Sequence, residues 1–564
     1  MDNGTLNLCW AQALVDGLAA AGIEHAVISP GSRATPLALA FLRQPAIHTW
    51  IVIDERSAAF FALGLTKAGG QPAALLCTSG SAPANWFPAV IEADADAVPL
   101  LLLSADRPPE SRGWGANQTI DQLKLFGDHV RAAHALGTPD AGFNPAYLHH
   151  LAARAVGESR WPLPGPVHLN LPFREPMVPG GDLPPATRLA PLRVAAPQLQ
   201  PAPTAIAELS AAIAGRPGLI VCGGGDYTPA FPAAVTELAE RLDCPVLAEP
   251  LTNLRFGSHD RSRICARAEA FLRAPGFAAG QRAQWLLRFG AYPISRAVGN
   301  WLATANAATH IVVDPHGRWP DPLHASTMLL QADPQATCTA LAAAAPAPGP
   351  ADWRAAFVTA EARAKALAAE LRSDAAIFED TLLPALLSLL PPGHRLFCGN
   401  SMVVRDFDTF SGSADKALRL FGNRGVSGID GNISTAAGIA AKAGPTVAVV
   451  GDLTCTHDLT GLAAARGLDL VVVVVNNGGG GIFSYLPEGA LADFERAWLA
   501  PPDVDFSHAA ATWGIAHHRV EHLSTFAAGL AAAIAAGGPH LIEVVVDRAR
   551  SVLRHRAYWA AIGQ

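Results

Sequence analysis

Three times along this chain, a short run of Val, Ile and Leu ends in a glycine turn and gives way to a helical pattern. HAVISPGSRATPLALAFL, GLIVCGGGDYTPAFPAAVTELAERL and TVAVVGDLTCTHDLTGLAAA are the clearest instances. Unbroken apolar runs of this length predict strands buried on both faces, and their alternation with helices predicts parallel sheets covered by helices. Two Pro/Ala-rich stretches, AAPQLQPAPT (195–204) and AAAAPAPGPADW (342–353), have the composition of linkers. The expected fold class is therefore α/β, with three doubly wound parallel-sheet domains over 1–190, 205–342 and 355–564. Ligands of such sheets bind beyond the carboxyl ends of the strands, so the residues that follow each apolar run are the candidates for function.

Charge and cysteine usage narrow the classes. Lys and Arg number 41 against 48 Asp and Glu, a formal net charge of −7, which argues against a nucleic-acid partner held by a basic surface. None of the eight cysteines forms a CxxC pair, and most stand in apolar contexts such as AALLCTSG. They fit buried thiols in a reducing compartment better than a disulfide framework or a zinc site. The start, MDNGTLNLCWAQ, lacks a signal-peptide pattern, and no segment has the length and polarity of a membrane span. The expectation is a cytoplasmic protein with no membrane insertion.

One strand ends unusually. VVVVVNNGGGGIFSYLP, from Val471, passes from five valines to two asparagines and four glycines. No Gly-Lys-Ser/Thr follows, so this is not a Walker-type phosphate loop. Amide oxygens beside bare backbone point instead to a hard cation carrying a phosphate. A second buried run, TVAVVG, delivers Asp452, and 477 − 452 = 25 residues separate it from Asn477. That interval fits one helix and one return strand, a βαβ unit that brings both residues to one sheet edge. Asp452, Asn477 and the Gly479 carbonyl would then form an oxygen set for Mg²⁺ (or Mn²⁺), with room for a diphosphate. Taken singly, Asp452 is more simply a helix cap and Asn477 a turn residue. GGGDY in the middle block lacks the full GxGxxG pattern and is taken as a tight strand-to-helix turn, not a dinucleotide site.

Gly-Asp, about 25 residues, then Asn-Asn resembles the fingerprint of thiamine diphosphate enzymes. That family usually has glycine after the Asp; here Leu453 stands there. The resemblance implies pyrimidine-binding, central and diphosphate-binding domains, and an activating glutamate in the first, after a strand and at a helix start. TWIVIDERSAAFFALG offers Glu55. Alone, Glu55 would be a first-turn acid favoured by the helix dipole.

Further segments are more specific: ISPGSRATPLA (28–38), DERSAAFFALG (54–64), TSGSAPANWFPAVIEA (78–93), SADRPPESRGWGANQTIDQ (104–122), GNSMVVRD (399–406) and NRGVSGIDGNISTAAG (423–438). With GDL and NNGGGGIFSYLP they resemble the 2-succinyl-5-enolpyruvyl-6-hydroxy-3-cyclohexene-1-carboxylate synthase family across both outer blocks, and more weakly in the middle. The resemblance implies decarboxylation of 2-oxoglutarate and conjugate addition of the resulting carbanion to isochorismate, on the way to menaquinone or phylloquinone. It assigns catalysis to Glu55, Gln118, Arg33 and Ser32. Substrate carboxylates fall to Ser32, Arg33, Arg107, Asn117, Gln118, Ser401, Arg405 and Arg424, because a guanidinium can grip a carboxylate with two parallel hydrogen bonds. Arg296 is a less secure member of that set: Ala297 follows it where some relatives have a second basic residue. Cofactor contacts are implied for Thr78, Ser427, Ile429, Leu453, Gly479, Ile482 and Phe483, as well as Glu55, Asp452 and Asn477. It further implies that Glu55 and Asp452 meet across a subunit boundary, in a dimer or a dimer of dimers. The rival readings are a thiamine enzyme of the acetolactate synthase type and a non-catalytic cofactor-binding regulator on the same fold.

Overall fold

The computed structural model describes residues 2–180, 190–372 and 376–564. The expected first domain, 1–190, includes residues 1 and 181–189, which lie outside that description. Among the described residues eighteen strands form three six-stranded sheets, and every strand pair in them is parallel.

The first sheet holds β1 (His25–Ile28), β2 (His48–Ile51), β3 (Ala73–Cys77), β4 (Leu100–Asp106), β5 (Ala132–Ala135) and β6 (Pro166–Pro172), in the order β2-β1-β3-β4-β6-β5. The second holds β7 (Gly218–Cys222), β8 (Val246–Ala248), β9 (Ile264–Cys265), β10 (Trp285–Phe289), β11 (Thr309–Val313) and β12 (Met328–Leu330), in the order β12-β11-β10-β7-β8-β9. The third holds β13 (Arg395–Cys398), β14 (Arg419–Phe421), β15 (Thr446–Gly451), β16 (Leu470–Asn476), β17 (Ala516–Val520) and β18 (His540–Val545), in the order β14-β13-β15-β16-β18-β17. The first and third sheets thus share one topology. Each reverses direction beside its first strand, which opens a crevice between β1 and β3 and another between β13 and β15.

The central strands are apolar along their length because helices cover both faces. All five residues of β3 are buried, as are Leu470–Val475 of β16. All eight cysteines are free thiols and seven of them are buried. Among the described residues no helix is long and apolar enough to cross a membrane.

The outer sheets meet through two helices, Glu55–Gly69 and Asn432–Ala443. Their backbones touch at glycine: a Cβ on Gly64 would lie 2.0 Å from the Thr435 carbonyl oxygen, and one on Gly438 would lie 2.0 Å from that of Phe61. One continuous apolar cluster runs from Val27 and Phe61 through this crossing to Val450 and Val474. The helix Ala351–Glu370, which begins inside the second Pro/Ala stretch, ties the middle sheet to the third. Its Phe357 packs edge-on to Phe271 and Trp301, and its Trp353 donates to the Gly218 carbonyl at 2.8 Å.

Two local features differ from or refine the expectation. The β15–β16 crossover is two short helices, Asp452–His457 and Gly461–Ala464, not one. The break lets buried Asp458 turn away and accept from the Ser434 N–H at 2.8 Å and the Ser434 hydroxyl at 3.0 Å. The GGGDY segment is a turn closed on itself: the Tyr227 hydroxyl donates to the Gly223 carbonyl at 2.7 Å, and its ring stacks on Phe231.

Candidate active site

At the β13/β15 crevice a cavity of about 180 Å³ is lined by Asn400, Ser401, Ile429, Asp452, Leu453, Asn477, Gly479, Ile482 and Phe483, among others. Asp452 opens the helix that follows β15, and its carboxylate gathers three backbone N–H groups. Leu453 N–H donates to Oδ1 at 2.7 Å; Asn477 and Gly479 N–H donate to Oδ2 at 3.2 and 2.8 Å. Burial pushes its carboxyl above the ordinary value, and these N–H groups pull the other way. Gly479 has φ +108, and a Cβ there would lie 2.0 Å from the Leu499 carbonyl oxygen, so only glycine fits.

The paired amides divide the work. Asn476 turns into the protein: its Nδ2 donates to Glu543 Oε1 at 2.7 Å, and its Oδ1 accepts from Gly478 N–H at 3.2 Å. Asn477 faces the cavity, and its buried Oδ1 has no hydrogen-bond partner. A buried carbonyl oxygen without a donor is costly. Beside a buried carboxylate and bare glycine backbone, such an oxygen has the chemistry of a hard-cation ligand, so the donor set would suit Mg²⁺ with a diphosphate. Ile429, Ile482 and Phe483 give the same cavity an apolar wall.

Two arginines converge beside it. Arg405 Nη1 donates to the Ser401 carbonyl at 2.5 Å, and Arg424 Nη1 donates to Asn400 Oδ1 at 2.7 Å. Neither is in an ion pair with another described residue, and Arg424 Nε is buried without a partner. Burial depresses the pKa of both, and the charge of Arg405 lowers that of Arg424 further. Arg405 is exposed and Arg424 half-buried; Asp406 and Asp408 act on the first, and Glu249, Glu92 and Asp96 on the second, but no carboxylate of the described residues pairs directly with either guanidinium, so both keep donors for an anion. Ser401 and Ser427 adopt φ values of +65 and +63, which non-glycine residues take only when the surroundings hold them.

The other candidates stand on the β1/β3 crevice and along that sheet edge. Ser32 is exposed and Arg33 is buried. Arg33 donates to the Phe173 carbonyl at 2.9 Å and pairs with Glu175 at 2.8 Å; Arg107 reaches the same Glu175 oxygen at 3.4 Å. Gln118, at φ +55, is latched to Ser79 in both directions: Gln118 Nε2 donates to the Ser79 carbonyl at 3.1 Å, and the Ser79 hydroxyl donates to the Gln118 carbonyl at 2.9 Å. Asn117 beside it is exposed, and Thr78 is buried against Gly31. Glu55 is the first residue of its helix, half-buried, with Asp54 as the cap. Its charge is near enough to push the Cys77 thiol up, although burial is the larger cause. Glu55 is not among the residues lining the Asp452 cavity. Arg296 is exposed at the first turn of the helix Arg296–Ala305 and is brought to neither group.

Sequence reasoning missed the residues beneath these loops. Gln122, 1% exposed, accepts from the Gly80 N–H at 3.1 Å and donates to the Ala105 carbonyl at 3.2 Å and to Asn170 Oδ1 at 2.9 Å. Asn170 donates in turn to Asp106 at 2.8 Å. This network fixes the segment that carries Arg107, Asn117 and Gln118. A second network, Asp406–His555 at 2.9 Å and Ser551–Glu379 at 2.7 Å, fastens the last helix behind the Asp452 cavity. Polar residues ending apolar strands were the available signal for the first; nothing marked the second.

Three parallel sheets, with a buried carboxylate, an orphaned amide oxygen and glycine backbone at the third sheet's crevice, fit the thiamine diphosphate-dependent enzymes, and the comparisons place the chain among them. Residues 10–125 match the model of the thiamine pyrophosphate enzyme N-terminal TPP binding domain, and residues 413–544 match that of the C-terminal TPP binding domain. The chain is 50% identical to the 2-succinyl-5-enolpyruvyl-6-hydroxy-3-cyclohexene-1-carboxylate synthase of Dechloromonas aromatica, over 96% of this chain and 99% of the relative. Proteins of the same name from Geobacillus kaustophilus and Chloroflexus aurantiacus are 43% and 42% identical, each over 98% of this chain and over 98% and 96% of the relatives. The chain belongs to the 2-succinyl-5-enolpyruvyl-6-hydroxy-3-cyclohexene-1-carboxylate synthase family.

Proposed function

We infer that this chain decarboxylates 2-oxoglutarate and joins the remaining four-carbon unit to isochorismate by conjugate addition, releasing CO₂, within menaquinone or phylloquinone synthesis. The convergence of Arg405 and Arg424 beside the Asp452 cavity carries this reading, because both substrates are anions. Pyruvate shares the carboxylate beside the keto group but has a methyl where 2-oxoglutarate continues to a distal carboxylate, so a pyruvate enzyme would have fewer carboxylates to pair with cations.

Thiamine diphosphate, when bound, supplies the nucleophilic carbon and the electron sink for loss of CO₂. The chain's residues do the rest. Asp452, the Asn477 amide oxygen and the Gly479 carbonyl would hold Mg²⁺ or Mn²⁺ and, with it, the diphosphate. Ser427 and Thr78 contact the cofactor, and Leu453, Ile429, Ile482 and Phe483 keep water from its reacting end. Glu55 holds a proton at the cofactor's pyrimidine nitrogen. Ser32, Arg33, Arg107, Asn117, Gln118, Ser401, Arg405 and Arg424 orient the substrates, and Gln118 stands with Ser32 and Arg33 near the reacting atoms. Arg296 is assigned to the substrate carboxylates with them, in the place of a lysine of the family. Glu55 and Asp452 serve one site only when two chains supply them, so the working form is a dimer or a dimer of dimers, in the cytoplasm. The three sheets are taken as the cores of domains at 1–190, 205–342 and 355–564.

Competition between 2-oxoglutarate and pyruvate, each with isochorismate, tests the reading. Strong preference for 2-oxoglutarate is expected, and Arg405→Ala or Arg424→Ala should cut kcat/KM by roughly 100-fold while cofactor binding holds, as for losing about 3 kcal/mol of paired charge. Equal use of pyruvate would reopen the acetolactate-type reading.

A further inference from the structure

The segment after β14 carries Arg424, Ser427 and Ile429, and charged side chains from the first sheet's helices grip its backbone. Glu92, in the helix Phe87–Ala95, is 2% exposed. Its two carboxylate oxygens accept from successive N–H groups across the boundary between the outer sheets: Gly425 to Oε1 at 2.8 Å and Val426 to Oε2 at 2.7 Å. Lys67, in the helix Glu55–Gly69, donates to the Gly422 carbonyl at 2.7 Å and to Asp96 at 2.6 Å, and lies 3.9 Å from Glu92. Three backbone groups within five residues are thus fixed from outside their own sheet.

Buried charge is a costly way to join two surfaces, since apolar side chains of similar size would pack as well. A carboxylate with both oxygens engaged adds direction. The Gly425 N–H lies in the peptide plane that leaves Arg424, and the Val426 N–H lies in the next plane, one residue before Ser427. Arg424 then donates to Asn400 at 2.7 Å, and Ser427 is held at φ +63. Burial pushes the Glu92 carboxyl up; the Lys67 ammonium draws it down, Asp96 raises it, and the two N–H groups lower it again.

We propose that Glu92 is a positioning residue for the reaction: by holding the Gly425 and Val426 N–H groups it sets where Arg424 and Ser427 stand, and Lys67 fastens the segment's other end. The proposal rests on the reading that Arg424 meets a substrate carboxylate.

Glu92→Gln keeps the volume and one accepting oxygen, but its NH₂ cannot accept the second N–H. Its effect is to be measured in wild-type and Arg424→Ala backgrounds as kcat, KM for each substrate, and Tm. The expected result is a rise of about tenfold in the KM of one substrate, with kcat changed less than about twofold, and a loss of that rise in the Arg424→Ala background. Lys67→Gln, which keeps a donor for Gly422, should show a smaller rise with the same dependence on Arg424. It also serves if Glu92→Gln does not fold. Effects that multiply across the two backgrounds, or a lowered Tm with unchanged KM, would overturn the proposal while leaving the reading of Arg424 intact. An Arg424→Ala enzyme with kcat/KM unchanged for both substrates would instead overturn that reading, and this proposal with it.

Discussion

Glu175 and Arg33 form an ion pair at 2.8 Å in which the arginine side chain is 6% exposed and the glutamate 70%. The acid reaches in from solvent and lies between Arg33 and Arg107, where a substrate carboxylate would sit. The glutamate keeps most of its hydration, which discounts what the pair contributes, and an incoming carboxylate can replace it on the buried guanidinium. Glu175→Ala should lower the KM of one substrate, by up to about fivefold, with kcat unchanged, because the Phe173 carbonyl still holds Arg33. The difference should shrink as salt is added. A KM that rises instead would mean that Glu175 orients Arg33 rather than competing for it.

Glu55 and the Asp452 set should act in different steps and from different chains. Glu55→Gln should reduce kcat by about 10²–10⁴-fold with cofactor binding largely kept. Asp452→Ala should weaken thiamine diphosphate and Mg²⁺ binding in a calorimetric titration before any chemistry is measured. Mixing the two inactive variants after subunit exchange should restore activity, since a hybrid dimer has one site with both residues intact. No recovery in verified hybrids would place the two residues in the same chain's site.

His555 predicts an alkaline weakness. Burial opposes its charge, but the hydrogen bond and charge of Asp406, and the charge of Glu379, outweigh that and raise its pKa to about 9. A raised value means that the histidine's contribution is present below its ordinary value and is lost as pH rises through about 9, while burial pushes the Asp406 carboxyl up to about 7, so on the acid side the pair weakens as that carboxylate protonates. The Tm of the wild type should therefore fall on the alkaline side. His555→Leu removes the imidazole that titrates there and should change the shape of that fall. Parallel alkaline curves for both proteins would rule the pair out as its cause.

These residues also mark where the sequence stops being informative. The strands announce themselves because LVVVVVN and LLLLSAD can only be buried on both faces. Asp452 and Asn477 are legible because the strands that carry them are adjacent and the interval between them is short. Glu92 and Val426 are 334 residues apart, and His555 and Asp406 are 149 apart. Neither pair has a periodicity or spacing to betray it; the contacts exist only once segments far apart in the sequence have packed. Arg33 was legible as a basic residue after a strand, but its partner Glu175 was not. Nor was the exposed position of Arg296, which nothing in GAYPISRAVGNWL distinguishes from an inward one.

The central claim is tested most directly by following CO₂ release from 2-oxoglutarate while isochorismate is titrated in, with thiamine diphosphate and Mg²⁺ present and the product identified by mass. The account predicts that CO₂ release rises with isochorismate and matches, mole for mole, the appearance of 2-succinyl-5-enolpyruvyl-6-hydroxy-3-cyclohexene-1-carboxylate. CO₂ release that ignores isochorismate, or isochorismate recovered unchanged while 2-oxoglutarate is consumed, would contradict it.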